Sequence, residues 1–310
     1  MKAAPFDYQR AENLGHALEL LQQHGDDAKL LAGGQSLVPM MAMRLTRPAL
    51  LIDIHRLKEL QAITPREDAV RTGAGVRQRT LEDDTALHAR LPLLAQALRW
   101  VGHGQTRNRG TVGGSLVHAD PSAELPLAAL VLGATLHLAS REPAGRQVER
   151  SVSAAQFFVG PMSTATTDTE CLTAIEWPVW QALEKGPGQL RRTGSAFEEI
   201  AIRHGDFAIA SAAAQVQLDA NDVCVRASFG AGGVAGVPLA FPAIAQRLIG
   251  QRFDDGLVRS VAADAAAACE PGNDVHGSAE YRRHLAAVLI ERVLRQAAET
   301  AGISSGANKT

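Results

Sequence analysis

The chain has 310 residues, of which 31 are basic and 33 acidic, so its net charge is −2. This balance gives no electrostatic reason to expect a nucleic acid or a charged membrane surface as partner. No apolar run approaches the ~20 residues that cross a bilayer, and the first residues lack the apolar stretch of a secretory signal. We therefore expect a cytoplasmic protein with no integral membrane segment.

The cysteines are few and scattered along the chain. Cys171, Cys224 and Cys269 are far apart in sequence and form no C-x-x-C pair. This pattern predicts neither a disulfide framework nor an iron–sulfur or zinc ligand set within the chain. If electrons reach this protein through a cluster, another chain must carry that cluster.

In chain order, the first half mixes short strands and helices. Apolar spacing predicts a helix over residues 11–23 and strands in "AKLLAG", "PALLIDI" and "AVRTGAGV". Threonine or proline then begins two helical segments, "TLEDDTAL" and "PLLAQALRWVG". A helix in "SAELPLAALVLG" follows, and then come strands in "ATLHLAS", "RQVERSV" and "ECLTAIEWP".

The chain changes character near residue 179. Charge, glycine and proline in "VWQALEKGPGQLRRTGS" predict a connection over residues 179–195. Beyond it, "FAIASAAAQVQLD" and "CVRASFGAGG" predict an antiparallel pair, helices follow, and residues 303–310 read as a disordered tail. Strands and helices mix without a regular βαβ period, so we predict the α+β class.

Two similar glycine turns are the clearest functional signal. We call "AGGQS", residues 32–36, the first glycine turn, and "TVGGS", residues 111–115, the second. Consecutive glycines let the backbone approach a ligand, and successive N–H groups can converge on an anion. A single such pair is usually only a tight turn. Two turns that converge would suit a pyrophosphate, which points to a dinucleotide such as FAD.

A third glycine-rich stretch, "GAGGVAG" at residues 230–236, formally matches the G-x-G-x-x-A fingerprint of dinucleotide-binding domains. That fingerprint requires a helix to open at the third small residue. Here Val237 and Pro238 follow instead, so a glycine-rich strand end or hairpin is the better interpretation.

The two turns lie in longer segments that resemble a known family. "AGGQSLVPMMAMRL…PALLIDIHRLKEL" and "QTRNRGTVGGSLVHADPSAELP" strongly resemble the medium, FAD-binding subunit of molybdenum hydroxylases, and the resemblance continues to "SAEYRRHLAAVLIERVL". It implies a two-part FAD-binding domain of the vanillyl-alcohol oxidase-like (PCMH) type over residues 1–178, with subdomains of about 1–56 and 57–178. A smaller domain of antiparallel strands and helices would follow over residues 196–302.

The resemblance also implies which residues bind FAD, without a covalent link. The first loop would use Ala32, Gly33, Gly34, Gln35, Ser36 and Leu37, and the second Asn108, Thr111, Gly113, Gly114 and Ser115. Glu124 would face the ribose, Leu172 would border the adenine or flavin region, and Phe197 would lie against the isoalloxazine. Gln35 stands where many members have histidine. Glu198 and Glu199 stand near a lysine position of the xanthine dehydrogenase branch, so an NAD site beside the flavin is in doubt.

The implied function is electron transfer within a multi-subunit complex. Electrons would pass from [2Fe-2S] clusters of a small subunit to FAD and on to a terminal acceptor, while a large molybdopterin subunit would hold the substrate. The complex would be a dimer of heterotrimers, a heterohexamer. Because the sequence shows no convincing acid–base or nucleophile constellation, no catalytic residue and no metal ligand is predicted. Two alternatives stay open: a stand-alone FAD-dependent oxidoreductase, and an assembly protein that lacks the cofactor.

Overall fold

The computed structural model describes residues 2–180 and 191–302. The predicted connection over residues 179–195 lies mostly outside these residues, and the predicted tail over 303–310 lies wholly outside them. The chain packs into two compact units. The first unit contains the described residues of 1–85, 102–119 and 134–177, and the second contains those of 86–101, 120–133 and 178–310.

The first unit begins with a small parallel sheet. Its strands are β1 (Asp7–Arg10), β2 (Ala28–Leu31) and β3 (Leu50–Asp53), in the order β1-β3-β2. Helices α1 (Leu14–His24) and α2 (Leu37–Ala42) lie between successive strands of the chain. Because β1 and β2 both pair in parallel with the central, buried strand β3, the carboxyl ends of all three strands meet at one edge of the sheet.

Hydrophobic patterning predicts β2, β3 and α1 but gives no signal for β1. All four residues of β1, "DYQR", are exposed, so no apolar alternation marks the strand. Pairing with β3 alone defines it. By contrast, α1 carries a readable start signal, since Asn13 accepts the backbone N–H of His16 at 2.8 Å.

A second sheet completes the first unit. Its five strands run in the order β4-β5-β10-β6-β7, and a two-stranded sheet, β8 with β9, lies outside it. The strands are β4 (Ile63–Pro65), β5 (Ala69–Gly73), β6 (Thr135–Arg141), β7 (Gln147–Ser153), β8 (Phe158–Gly160), β9 (Ser163–Thr164) and β10 (Cys171–Pro178). The helices of this part are α3 (Gln78–Asp83), α6 (Gly104–Arg109), α7 (Val112–His118) and α9 (Ala154–Phe157).

The second unit is built on an antiparallel sheet of four strands in chain order. The strands are β11 (Arg192–Ile200), β12 (Ala210–Leu218), β13 (Cys224–Gly232) and β14 (Leu239–Ala240). Its helices are α5 (Pro92–Leu98), α8 (Glu124–Leu132), α10 (Pro242–Ala245), α11 (Asp255–Ala267) and α12 (Ala279–Thr300), together with most of α4 (Thr85–Arg90). The predicted antiparallel pairing of β12 with β13 is confirmed.

Helices cover both faces of this sheet, so every residue of β12 is buried. Alternate residues of β12 form one apolar core with α11 and α12. The opposite face receives α5 and α8, where Gly230 and Gly232 leave room for Leu127 of α8. The glycine-rich stretch at residues 230–236 is therefore a strand end that admits a helix, as the sequence suggested, and no helix opens there.

One division between the compact units falls between Trp177 and Pro178, next to the predicted domain boundary at residue 178, but α5 and α8 also belong to the second unit. Both helices precede that boundary in sequence, yet their apolar side chains are buried against the sheet of the second unit. Among the described residues, no helix combines the length and the apolar character needed to cross a membrane.

Candidate functional site

The first glycine turn follows β2 at the carboxyl edge of the parallel sheet and leads into α2. Gly34 has a φ of +72°, a left-handed conformation that side chains rarely adopt. The Gly34 carbonyl accepts the Val38 N–H at 3.1 Å, and the Gly33 carbonyl accepts the Gln35 side-chain amide at 3.2 Å. The carbonyls of Gly33 and Gly34 are therefore engaged by the turn and the start of α2.

The N–H groups of the same turn are not engaged. The backbone N–H groups of Gly33, Gly34, Gln35 and Ser36 have no hydrogen-bond partner in the described part of the chain. Ser36 precedes α2 and makes no capping bond of its own. Four successive unpaired donors around a left-handed glycine form a nest that can hold an anion.

The second glycine turn has a different structure, because it is the start of α7. Thr111 caps the helix, and its Oγ1 accepts the Gly114 N–H at 3.0 Å. The N–H groups of Val112 and Gly113 bond to the carbonyls of Val76 at 3.0 Å and Ala74 at 2.9 Å. The sequence predicted a backbone nest in both turns, but these three donors already have partners. The Ser115 side chain of this turn has no hydrogen-bond partner among residues 2–180 and 191–302.

The first glycine turn contacts the residues that lead into the second turn. A Cβ added to Gly33 would collide with the carbonyl of Arg109 and would lie 2.9 Å from the α-carbon of Gly110. A Cβ on Gly113 would lie 2.8 Å from the carbonyl oxygen of Ala74. Both glycines thus permit close backbone packing, Gly33 against the segment that precedes the second turn and Gly113 against Ala74.

A buried ion pair fixes the helix that leads into the second turn. Arg107 of α6 is 9% exposed, and its guanidinium contacts both carboxylate oxygens of Glu82 at 2.8 Å. The same side chain donates to the carbonyl of Gly102 at 2.9 Å. The hydrogen bonds from Arg107 hold the pKa of Glu82 below its usual value, so the pair stays charged at neutral pH.

A pocket of about 590 Å³ opens beside the first turn. The three strand ends, the turn, the start of α2 and Arg109 line it. The lining residues are Tyr8, Arg10, Leu31, Ala32, Gly33, Gly34, Gln35, Val38, Pro39, Asp53, His55 and Arg109. Ligands commonly bind at the carboxyl ends of parallel strands, and this volume is that of a small-molecule site.

Asp53 organises the floor of this pocket. It is 3% exposed and accepts hydrogen bonds from the Tyr8 hydroxyl and from the backbone N–H of His55 at 2.9 Å. The ring Nδ1 of His55 lies 2.7 Å from its Oδ1. Burial opposes ionisation, but the hydrogen bonds from Tyr8 and His55 outweigh it and lower the pKa of Asp53.

Positive charge surrounds this single acid. Arg10 and Arg109 line the pocket, and Arg77 donates to the carbonyl of Arg109. Burial and the neighbouring charge of Arg109 lower the pKa of Arg77. The Arg109 guanidinium itself has no partner among the described residues. The pocket therefore combines unpaired backbone donors with cationic side chains, a chemistry that suits phosphate groups.

Most of the predicted FAD-binding residues lie in the first compact unit, and two lie in the second. Asn108 is exposed at the end of α6. Leu172 is buried on β10, and the carbonyl of the next residue, Thr173, accepts the Ala74 N–H. Glu124 begins α8, and Phe197 lies in the middle of β11, so both belong to the second unit. No group of three or more histidine, cysteine, aspartate or glutamate side chains that could hold a metal occurs in the described residues.

Sequence reasoning missed Tyr8, Arg10 and His55 of the pocket wall. Tyr8 and Arg10 belong to a strand without an apolar pattern, and the sequence suggests no more than a turn acid at Asp53. The Asp53 carboxylate does accept the His55 N–H, as a turn acid would, but this bond is one of several contacts that Asp53 makes. A usable signal was the polar residue at the end of two of the parallel strands, Arg10 of β1 and Asp53 of β3.

Two family domains account for nearly the whole chain. Residues 4–180 match the FAD binding domain in molybdopterin dehydrogenase, and residues 195–297 match the CO dehydrogenase flavoprotein C-terminal domain. The predicted resemblance and the predicted α+β class, with an FAD-binding part followed by a smaller C-terminal part, are therefore confirmed.

Curated relatives agree over nearly full length. The chain is 36% identical to the 6-hydroxypseudooxynicotine dehydrogenase complex subunit alpha of Paenarthrobacter nicotinovorans, over 96% of both proteins. It is 36% identical to the carbon monoxide dehydrogenase medium chain of Hydrogenophaga pseudoflava, over 94% of this chain and 96% of that one.

Solved structures have the same fold. A carbon monoxide dehydrogenase chain from Hydrogenophaga pseudoflava superposes with a TM-score of 0.88 at 34% identity, covering 97% of this chain and 99% of that one. A chain of quinoline 2-oxidoreductase from Pseudomonas putida 86 gives 0.87 at 34% identity, covering 97% and 99%. The chain belongs to the family of FAD-binding medium subunits of molybdenum hydroxylases, and it is an FAD-binding oxidoreductase subunit.

Proposed function

We propose that this chain transfers electrons through a non-covalently bound FAD, from [2Fe-2S] clusters of a small partner subunit to a terminal acceptor. The observation that carries the proposal is the nest of four unpaired N–H groups in the first glycine turn, which opens on a cationic pocket. A pyrophosphate is the part of FAD that such a nest would hold. When bound, FAD would supply the redox chemistry, because it can exchange one or two electrons.

This chain's own residues would bind and orient the cofactor. Gly33 to Ser36 would donate backbone hydrogen bonds to one phosphate, and Arg109 would neutralise charge at the pyrophosphate. Ser115 would contribute its side-chain hydroxyl from the second turn. The second turn already uses its backbone N–H groups, since those of Val112, Gly113 and Gly114 donate to protein oxygens. We therefore propose that this turn supports the first turn and contacts the cofactor through a side chain.

The remaining predicted contacts keep their proposed roles. Ala32, Leu37, Asn108, Thr111, Gly113, Gly114 and Leu172 would border the cofactor or shape its loops. Glu124 would accept hydrogen bonds from ribose hydroxyls, and Phe197 would pack against the isoalloxazine. No catalytic residue is assigned, because the substrate would be converted on another subunit.

We propose that the holoenzyme contains a large molybdopterin subunit and a small iron–sulfur subunit, assembled as a dimer of heterotrimers. The support is the relatives, which are medium chains and complex subunits of dehydrogenases. Molybdopterin and iron–sulfur clusters would then lie only on the partners. The cytoplasmic location stays a prediction of the sequence.

A stand-alone FAD-dependent oxidoreductase is the second candidate. The observation that favours it is the Tyr8–Asp53–His55 cluster in the pocket wall, because a hydrogen-bonded histidine and tyrosine could move a proton. An assembly protein without cofactor is the third candidate, and the intact first turn argues against it.

The decisive experiment is a binding series on the purified full chain. We expect FAD to bind more tightly than FMN by about 100-fold, because FMN lacks the second phosphate and the adenosine. Equal affinities for FAD and FMN would contradict the pyrophosphate assignment. In the same preparation, small organic substrates should not reduce the flavin, and turnover by the chain alone would establish the stand-alone enzyme instead.

A further inference from the structure

An aromatic side chain in the pocket wall is exposed and yet held in place. Tyr8 of β1 lines the pocket and is 51% exposed, while its hydroxyl donates to the buried carboxylate of Asp53. Arg10, two residues along the same strand, donates to that hydroxyl at 3.4 Å. Residues two apart in a strand lie on the same face, so both side chains belong to one wall. The Tyr8 ring therefore has a fixed position although half of the residue is open.

The anchor of this ring is itself fixed. Asp53 accepts the backbone N–H of His55 at 2.9 Å, and its Oδ1 lies 2.7 Å from the ring Nδ1 of the same residue. The parallel pairing of β1 with β3 places Tyr8 opposite Leu51 and Arg10 opposite Asp53. A side chain that is already ordered loses little conformational entropy when a ligand packs on it. The Tyr8 ring is therefore pre-organised as a contact surface.

The pocket combines two kinds of chemistry. The first glycine turn and Arg109 offer hydrogen-bond donors and positive charge, and Leu31, Val38 and Pro39 add apolar surface beside the Tyr8 ring. All of these residues belong to the first compact unit. Pockets for organic ligands are typically lined by apolar and aromatic side chains with a few well-placed polar groups. This pocket therefore offers donors to an anion and an aromatic surface to a planar ring.

In FAD, each phosphate is joined through a ribose or a ribityl chain to a planar heteroaromatic ring. A phosphate in the first glycine turn would therefore bring one of these two rings near the pocket wall. We propose that Tyr8 packs against that ring, adenine or isoalloxazine, and that Asp53 is a positioning residue that holds the Tyr8 side chain for this contact. The inference rests on the proposed function, in which the first glycine turn binds the pyrophosphate.

The aromatic contact is tested on the flavin-free full chain, by titration with FAD and by competition of ADP, FMN and inorganic pyrophosphate against FAD. Tyr8→Leu should raise the dissociation constants of FAD and of one ring-bearing competitor by about tenfold, the order of magnitude of base stacking on an aromatic side chain. Pyrophosphate has no ring, so its constant should not change. A loss with ADP identifies the ring as adenine, and a loss with FMN identifies it as isoalloxazine.

Phe6→Leu is the matched control for this substitution. Phe6 is an exposed aromatic residue just before β1, and it is not one of the described residues that line the pocket. Its leucine variant should bind all four ligands as the wild type does. Unchanged constants for FAD, ADP and FMN in Tyr8→Leu would overturn the aromatic contact. An equal loss of pyrophosphate affinity would overturn it as well, because the substitution would then act on the phosphate site.

The positioning role of Asp53 is tested by a double-mutant cycle. Tyr8→Phe keeps the ring and loses the bond to Asp53, so it should weaken binding of the affected competitor by about threefold, less than Tyr8→Leu does. Asp53→Asn should weaken binding of the same competitor. Because both substitutions act on one hydrogen bond, the double variant should bind more tightly than the product of the two single effects predicts. Independent effects that multiply would overturn the positioning role.

The outcomes separate this inference from the proposed function. If the wild type binds FAD and Tyr8→Leu binds it equally well, only the inference fails. A wild type that binds none of FAD, ADP and FMN would refute the proposed function together with the inference. Should Asp53→Asn fail to fold, Tyr8→Phe still decides the positioning role, because wild-type affinity in that variant would show that the ring needs no anchor.

Discussion

The two glycine turns have nearly the same letters, a glycine pair followed by a polar residue, but they use glycine differently. In the first turn, Gly34 adopts a left-handed conformation and the successive N–H groups remain unpaired. In the second, neither Gly113 nor Gly114 has a positive φ, and both N–H groups donate to protein oxygens. Gly34 of the first pair permits a left-handed turn, and Gly113 of the second pair omits a side chain where backbones pack.

The difference shows that a turn can require glycine for either of two physical reasons. Glycine permits a backbone conformation that other residues resist, and it also permits close approach because it has no Cβ. Gly33 belongs to the second kind, although it lies in the first turn, because it meets the backbone at Arg109 and Gly110. Substitutions at the two kinds of glycine should therefore differ in their effects on stability and on FAD affinity.

The largest effect is expected from Gly33→Val. The new side chain would collide with the backbone at Arg109 and separate the two turns, so FAD affinity should fall by about 100-fold or more through loss of two charged hydrogen bonds. Stability should also fall, by about 2 kcal/mol, because the contact is overpacked. Flavin content and thermal unfolding measure the two effects, and wild-type flavin content in this variant would contradict the role of this contact in FAD binding.

A smaller and more selective effect is expected from Gly34→Ala. Alanine at a φ of +72° is strained by about 1–2 kcal/mol, and its Cβ would lie 3.3 Å from Leu31 and Val38. The nest would change shape, so the dissociation constant of FAD should rise about tenfold.

Gly133→Ala is the matched control for that strain. Gly133 also has a φ of +72°, and a Cβ there meets nothing within 4 Å. Its alanine variant should lose a similar stability, about 1–2 kcal/mol, and keep the FAD affinity of the wild type. If both variants bind FAD equally well, the first turn is not the phosphate site.

The smallest effect is expected from Thr111→Val, which removes the cap of α7 and keeps the size of the side chain. Loss of the bond from the Gly114 N–H should reduce stability by about 1 kcal/mol, while FAD affinity changes by less than about threefold. Thr111→Ser retains the oxygen and serves as control in thermal unfolding and FAD titration. A large loss of FAD affinity with Thr111→Val alone would show that the second turn holds phosphate directly.

Local patterns predicted much of the fold. Alternating and continuous apolar runs located β5, β6, β10, β12 and β13, apolar spacing located α1, and Pro92 marked the start of α5. By contrast, β1 and β11 have no clear pattern of this kind: β1 is exposed, and β11 mixes polar and apolar residues on both faces. Their partners in the sheets define them, and partners far away in sequence leave no local signal.

The site was predictable only in part for a related reason. The glycine pairs, and the family that they indicated, were readable in the printed sequence, because each turn is a continuous segment. The pocket wall is not continuous: Tyr8, Asp53 and His55 come from two parallel strands and the residues that follow them. The spacing of residues along the sequence does not indicate which strands pair in a sheet.

By itself, the sequence determined the class of protein, the two glycine turns and most helices and buried strands, because these depend on short-range periodicity, capping and backbone preference. Only the tertiary structure decided which turn keeps its N–H groups unpaired, since Val76 and Ala74 must first be brought to the second turn. It also decided that, within the part of the chain that the structure describes, the Glu199 carboxyl is buried without a hydrogen-bond partner while Glu198, one residue earlier, has an ion-pair partner. Hydrogen bonding and desolvation depend on neighbours from distant parts of the chain.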